Sequence, residues 1–594
     1  MGRVQTSALR MFGKRRCART FCALLLLLVV KAGAEDFTYI NNNGAITVTG
    51  YTGPGGNVTV PGTIVGLPVT SLDHSFYALS TVTSVTIPPG VTNIAAYTFW
   101  ACTGLTNITL PDGLTTIGDA AFWECTGLTE IHIPQSVTNI GQQAFGQSTS
   151  LTAITVDPLN AWYASPDGVL FDKNQRVLIQ FPSGKAGPYA LPAGVTSIGD
   201  YAFWWSTALT GVTLPEGVTN IGVDAFGGCT SLATVTTPSS LTRIADSAFW
   251  GCTQLTGVVL PNSVASLGSS AFFGCASLQS ITIPSNISVV GDFAFSACTG
   301  LKSVSLQNNV LGVAEFSGCT NLTGITIPDG ITVIPDRAFE HTGLTNLILS
   351  SNVTRIGEFS FAECSSLTNV VLPDSLTEIG GAAFGFCTAL GSVRIPDRVT
   401  TIGNGYIGKG VEGTFSACTS LTNVVLGKSL RSMGSAAFFN CPGLRSMVIP
   451  KSVTSIAEFC FGYSTNLTAL YFEGDAPTVS DAFIVLSQGD PTIAYYLPGT
   501  QGWGATFASQ PTAWWVLPNP VLLNTRAALT VQSNGVSLAV SWATNSSVVL
   551  EACTSLVNPT WQTVDAKPLS GGTAGFRDSQ WTNYPARFYR VRGL

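Results

Sequence analysis

The chain has 594 residues, of which 10% are charged and 45% apolar, with 62 glycines. So few charges among so many apolar residues exclude disorder, which needs high net charge and little apolar surface. Removing the first 34 residues takes away seven basic side chains and no acidic one; the net charge of −13 that remains excludes a nucleic-acid binder, which needs a basic footprint.

Arg3, Arg10, Lys14, Arg15, Arg16 and Arg19 form a basic stretch, "FCALLLLLVV" (Phe21 to Val30) an apolar core, and Ala32-Gly33-Ala34 a small-residue cleavage site. That order predicts a signal peptide over residues 1–34, too short to span a bilayer. No later apolar run reaches spanning length. The mature chain is therefore expected to be secreted or at the cell surface, with no transmembrane segment. Residues 35–67 are expected to form an N-terminal β cap.

From residue 68 the sequence repeats. "LTNITLPDGLTTIGDAAFWECTG" (Leu105 to Gly127) and "LTEIHIPQSVTNIGQQAFGQSTS" (Leu128 to Ser150) share one apolar skeleton over 23 residues. The leading leucine returns at Leu151, Leu209 and Leu232 and on to Leu467, and the phenylalanine of "AF" keeps step from Phe99 to Phe483. A unit this small cannot bury its own apolar side, so successive units must stack as a solenoid. Within a unit "LTxIxIP" alternates as a strand with its Leu and Ile positions inward. Proline ends the strand because it has no N–H for a ladder bond. The return path "VTxIGxxAFxxC" is expected to form short helical or 3₁₀ turns.

This pattern resembles the BspA-type leucine-rich repeats of bacterial surface proteins, whose units run L-x-x-I-x-I-P and then V-x-x-I-G-x-x-A-F-x-x-C. The likeness covers nearly all of residues 68–517: repeats over 68–473, a longer insert at about 157–190, and a C-terminal cap at 474–517 carrying "GDAPTVSDAF" and "YYLPGTQGWG". Two units depart from it. The one at Leu301 is two residues short and lacks the proline; the one at Leu390 has an eight-residue excess around "GNGYIGKG". A kink and a protruding loop are expected there. The resemblance implies a leucine-rich repeat solenoid with a parallel β-strand face. It also implies a non-enzymatic role in adhesion or recognition of an extracellular protein or glycan, with no cofactor.

One slot of the unit holds Cys102, Cys125, Cys229, Cys252, Cys275, Cys298, Cys319, Cys364, Cys387, Cys418 and Cys441. A nucleophilic cysteine is single and needs its own base, whereas the chain has three histidines and places Ser148 and Ser206 in the same slot. With no Cys-x-x-Cys pair or Cys/His cluster, a metal site is disfavoured. Stacked Cα atoms about 4.8 Å apart could be bridged, but parallel Cβ vectors stay too far apart for good disulfide geometry. Buried free thiols serving as small hydrophobes are predicted, including Cys460 and Cys553 outside the slot. No catalytic, metal or cofactor residue is assigned.

Two surfaces stand out. The outward second position of the strand is mostly threonine up to Thr326; beyond it come Ile348, Val371, Arg394, Val425, Val448 and Tyr471. That is either an apolar contact strip or simply β-branched residues suiting strands. Glu130 and His132 are the one acid–base pair on this face, without a nucleophile beside them. Trp100, Trp123, Trp204 and Trp250 follow the core phenylalanine. They either shield the core edge or form an aromatic track for a glycan or protein. An enzyme processing polysaccharide would need a carboxylate pair in one cleft, and none recurs in the repeats. A polysaccharide-binding accessory protein and a passive envelope or spacer component remain as other readings. The chain is expected to be a monomer.

After a linker at "VLPNPVLL" (Val516 to Leu523), residues 518–594 alternate as strands and are expected to form a small β-sandwich-like module. They resemble a C-terminal module that follows repeats in secreted proteins of environmental bacteria. Arg587, Arg590 and Arg592 read there as a solvated strand face.

Overall fold

The computed structural model describes residues 36–407, 411–480, 492–497, 499–515, 521–522, 529–532, 535–541, 547–555, 559–568, 573–583 and 586–593. The predicted signal peptide, Phe483 and most of the linker lie outside them. Each repeat is one rung with three walls. The first wall is the expected strand: Glu130–Ile133 pairs in parallel with Ala153–Val156, setting Ile131 opposite Ile154 and His132 opposite Thr155. Its side chains alternate outward and buried along the strand, because only one face of the pleat meets the core. The second wall is a ladder of two-residue strands in "TxIG". Asn93–Ile94, Thr116–Ile117 and Asn139–Ile140 pair in parallel; the series resumes at Ser197–Ile198 and runs on to Thr478–Val479 with one interruption.

The third wall corrects the expectation of helical or 3₁₀ return turns. Among the described residues there is no α-helix, and the two 3₁₀ turns, Pro166–Gly168 and Trp581–Asn583, lie in the insert and the C-terminal part. The return path is instead a run of turns bonded rung to rung: the amides of Tyr97, Phe99 and Ala101 donate to the carbonyls of Asp119, Ala121 and Trp123. Two residues per rung hold a left-handed backbone, such as Tyr97 and Ala101, then Ala120 and Glu124, with φ between 50° and 61°. A right-handed helical turn cannot run through such a residue. At the second of these sites Gly228, Gly251 and Gly274 take the conformation without steric cost.

Threonine accounts for much of the cohesion between rungs. The hydroxyls of Thr115, Thr242 and Thr377 donate to the carbonyls of Thr92, Thr219 and Thr354 one rung back, at 2.9–3.0 Å. Thr106 and Thr368 do the same on the first wall toward Thr83 and Thr345. Inside, the phenylalanines form a spine. From Phe203 to Phe461 each ring stacks on the next with centroids 4.6–5.9 Å apart, a separation at which offset rings attract.

At the N-terminus Phe37–Asn42 pairs antiparallel with Ala45–Tyr51, which lies parallel beside Leu67–Leu72. In the insert, Tyr163–Ala164, Leu170–Asp172 and Val177–Gln180 form an antiparallel ribbon, and its last strand joins Ser197–Ile198 in parallel. The excess in the Leu390 unit is an antiparallel hairpin of Tyr406–Ile407 with Val411–Glu412. Toward the C-terminus, strands pair antiparallel in two sheets, one built on Gly535–Ser541 and one on Ser547–Cys553. The arginines there are not a simple solvated face. Arg590 and Arg592 clamp the buried Glu551 carboxylate at 2.7 and 2.9 Å, and Arg587 pairs with the buried Asp578.

The short unit at Leu301 interrupts the second wall between Val289–Val290 and Val333–Ile334. Polar side chains fill two apolar slots of this unit. Asn308 stands where Ile287 and Ile331 stand in the flanking rungs, and Glu315 where Ala294 and Ala338 stand; both are fully buried. One Glu315 oxygen accepts from the Gly312 amide at 2.9 Å. The other, and Oδ1 of Asn308, have no partner among the described residues. Burial raises the Glu315 carboxyl to a pKa of about 8.

Candidate binding surfaces

The first wall presents one outward column along successive rungs. Register sets Ile348 opposite Val371, Arg394 opposite Val425, Val448 opposite Tyr471, and Tyr471 opposite Tyr495. Ile348, Val371, Val425 and Val448 are 43–70% exposed. Arg394 interrupts the apolar run, but its guanidinium is drawn to Asp374 at 3.0 Å. Tyr471 is half-buried: its ring stacks on Tyr495 at 5.1 Å and packs against Trp515 at 5.0 Å. The column thus continues into Tyr495, which sequence reasoning missed because "YYLPG" departs from the repeat. At its other end the segment Thr323–Ile327 forms no strand. A groove of about 440 Å³ opens between it and Thr345–Ser350, with Ile348 on its wall. On the earlier rungs the same column is mostly exposed threonine, broken by Val259, which is 73% exposed, and the His132 ring meets the Thr155 hydroxyl at 3.1 Å.

The tryptophans divide. Trp123 lies over Gly146 and Trp204 over Gly227, so closely that a Cβ on either glycine would come within 2.5 Å of the indole. Trp205 covers Gly228 and Phe439 covers Gly462 less closely, at 2.9 and 3.1 Å from such a Cβ. At these four places an aromatic in one rung meets glycine in the next, a pairing visible in the sequence and overlooked there, whereas Trp100, Trp250 and Phe273 are followed by Trp123, Phe273 and Ser296. Trp204 and Trp250 approach to 6.3 Å across Gly227, whereas Trp100 stacks on Tyr77 at 4.8 Å.

All thirteen described cysteines are buried and free. In the repeat slot each thiol donates to the carbonyl of the phenylalanine in the preceding rung: Cys125 to Phe99, Cys252 to Phe226 and Cys441 to Phe415, at 3.1 Å. Ser148 and Ser464 make the same bond at 2.8 Å. The slot therefore favours a small donor, not merely a small hydrophobe, and Ser148 and Ser464 were the signal for that; Ser206, in the same slot, is buried with its hydroxyl unpaired among the described residues. Burial pushes the Cys102 and Cys229 thiols up to about 12, so these stay protonated and are poor nucleophiles. Replacing Cys252 by Ser is expected to change stability by less than about 0.5 kcal/mol, and by Val to cost about 0.5–1.5 kcal/mol, the net worth of one hydrogen bond, since the Phe226 carbonyl keeps the Cys229 amide as a donor at 3.1 Å. Chemical denaturation of the two variants compares them directly.

No group of three or more His, Cys, Asp or Glu residues is arranged to hold a metal ion among the described residues, and no helix there is long and apolar enough to cross a membrane. A family model described as "BspA type Leucine rich repeat region (6 copies)" matches residues 70–162, 196–315, 290–409 and 411–485, well over half of the chain. No curated protein matches. Among solved structures the chain is similar to a leucine-rich repeat protein from Bacteroides ovatus, with 25% identity over 74% of this chain and 98% of that one and a TM-score of 0.39. It is also similar to a leucine rich cell surface protein from Faecalibacterium prausnitzii, with 27% identity over 46% and 93% and a TM-score of 0.31. The pneumococcal vaccine antigen PcpA shares 23% identity over 50% and 91%, with a TM-score of 0.36.

Proposed function

We propose, from the premise that this chain belongs to the BspA-type leucine-rich repeat family, that it is an exported, non-enzymatic binding protein. The first wall recognises an extracellular protein or glycan, and Ile348, Val371, Val425, Val448 and Tyr471, with Tyr495 beyond them, form the contact strip. The supporting observation is the column itself. Large apolar side chains stand in the open on nearly consecutive rungs, where the earlier rungs carry mostly threonine and a single isolated aliphatic, Val259. An apolar patch kept in water is a mark of a recognition surface, and a rigid parallel wall presents it with little ordering cost.

Probing arrays of glycans and extracellular-matrix proteins with the mature chain identifies a ligand. Val371→Asp, Val425→Asp and Val448→Asp together are expected to weaken that binding at least tenfold, since buried charges without partners are costly at an interface. Undiminished binding by the triple variant would eliminate the strip.

A further inference from the structure

The other end of the repeat array carries a different chemistry on a different wall. Residues 36–172 contain nine acidic residues and not one lysine or arginine. On the third wall of this stretch a group of rings projects outward. Tyr77 stacks on Trp100 at 4.8 Å, and His74 lies 5.8 Å from Tyr97 and 6.3 Å from Tyr77. Tyr77 and Tyr97 are 47% and 43% exposed. They differ from Trp123 and Trp204, whose rings are laid over glycines of the next rung.

One carboxylate touches these rings and two more lie on the next rung. Asp73 meets the His74 ring at 2.6 Å and is itself half in solvent. The rung bonds from Tyr97 to Asp119 and from Ala101 to Trp123 place Asp119 and Glu124 one rung on, in the columns beside the rings. Ring faces together with carboxylates, in a field of one sign, attract cations: the π quadrupole and the charges act in the same direction. An anionic polymer would meet repulsion from every charge in the stretch, and a neutral one would gain nothing from the carboxylates.

We propose that the patch formed by Asp73, His74, Tyr77, Tyr97 and Trp100 is a second recognition site, which takes lysine or arginine side chains from a basic segment of a partner protein. It is independent of the apolar strip, which lies on another wall and on later rungs. The charge complementarity of the base-free stretch steers such a segment to the site, and the rings hold its cationic heads.

The test is titration of a labelled hexa-arginine peptide into the mature chain at pH 8, read by fluorescence anisotropy, with maltohexaose as the neutral arm. Tyr77→Ala with Tyr97→Ala is expected to weaken the peptide about tenfold, the effect of two exposed cation–π contacts. Tyr77→Phe with Tyr97→Phe keeps the rings and should keep the binding, and Tyr406→Ala, on the distant hairpin, should leave it unchanged. If the double alanine variant loses its melting transition, Asp73→Asn with Glu124→Gln takes its place, with weaker binding expected again. Equal peptide affinity in wild type and ring-deleted or charge-deleted variants overturns the proposal, as does binding of maltohexaose in preference to the peptide.

Discussion

Replacing Glu315 by glutamine is expected to stabilise the chain by several kcal/mol above pH 8 and to remove a pH dependence that the wild type shows. The carboxyl is fully buried in a slot that holds alanine in the flanking rungs, and burial lifts its pKa from 4.5 to about 8. The folded state therefore favours the protonated form, while the unfolded chain ionises near the ordinary value. Stability from this group is complete below about pH 4.5, falls as pH rises, and is lost once pH passes about 8. The interval corresponds to about 5 kcal/mol at most, at about 1.4 kcal/mol per unit. Glutamine has no charge to desolvate and retains an oxygen for the Gly312 amide. Because the second wall is interrupted at this rung, the change should show as local opening. Hydrogen exchange of residues 289–334 across this pH range reads it. Profiles that coincide in the wild type and Glu315→Gln would refute the account.

Phe272→Ala is expected to cost about 3–5 kcal/mol, the usual penalty for emptying an aromatic-sized space in a packed core. Its ring is fully buried and lies 5.0 Å from Phe249 and 5.2 Å from Phe295. In a stack where each rung touches only its neighbours, stability adds up rung by rung. A weak rung in the middle should then let the two sides melt separately, turning one calorimetric transition into two. Phe293→Ala, on the same stretch but 42% exposed, should change stability by less than about 1 kcal/mol.

The parts of the fold legible in the sequence are those that repeat with a fixed side-chain character. Leu128, Ile131, Ile133 and Phe145 recur in step and are all buried, so the rung and its first wall follow from period alone. The outward position of Ile348, Val371, Val425 and Val448 follows from strand alternation for the same reason. The third wall was not legible, because its left-handed sites carry Tyr97, Glu124 or Gln143 as readily as glycine. Rung-to-rung hydrogen bonds hold these residues in a conformation that local preference opposes. The donor role of the cysteine slot was hidden by sulfur's resemblance to an apolar group. The kink expected at Leu301 corresponds to a skipped strand in the second wall, and its consequence for Glu315 depends on which neighbours surround the carboxyl. That is a tertiary fact no spacing reveals.

The staples between rungs also bear on how fast the chain finds its shape. Thr115 reaches back 23 residues and Cys252 reaches back 26, and the same spans recur along the array. Closing a loop costs more entropy the longer it is, and folding slows as contacting residues lie farther apart in sequence. Here no closure grows with chain length, so an array of many rungs can zip from any nucleus at nearly the speed of a few.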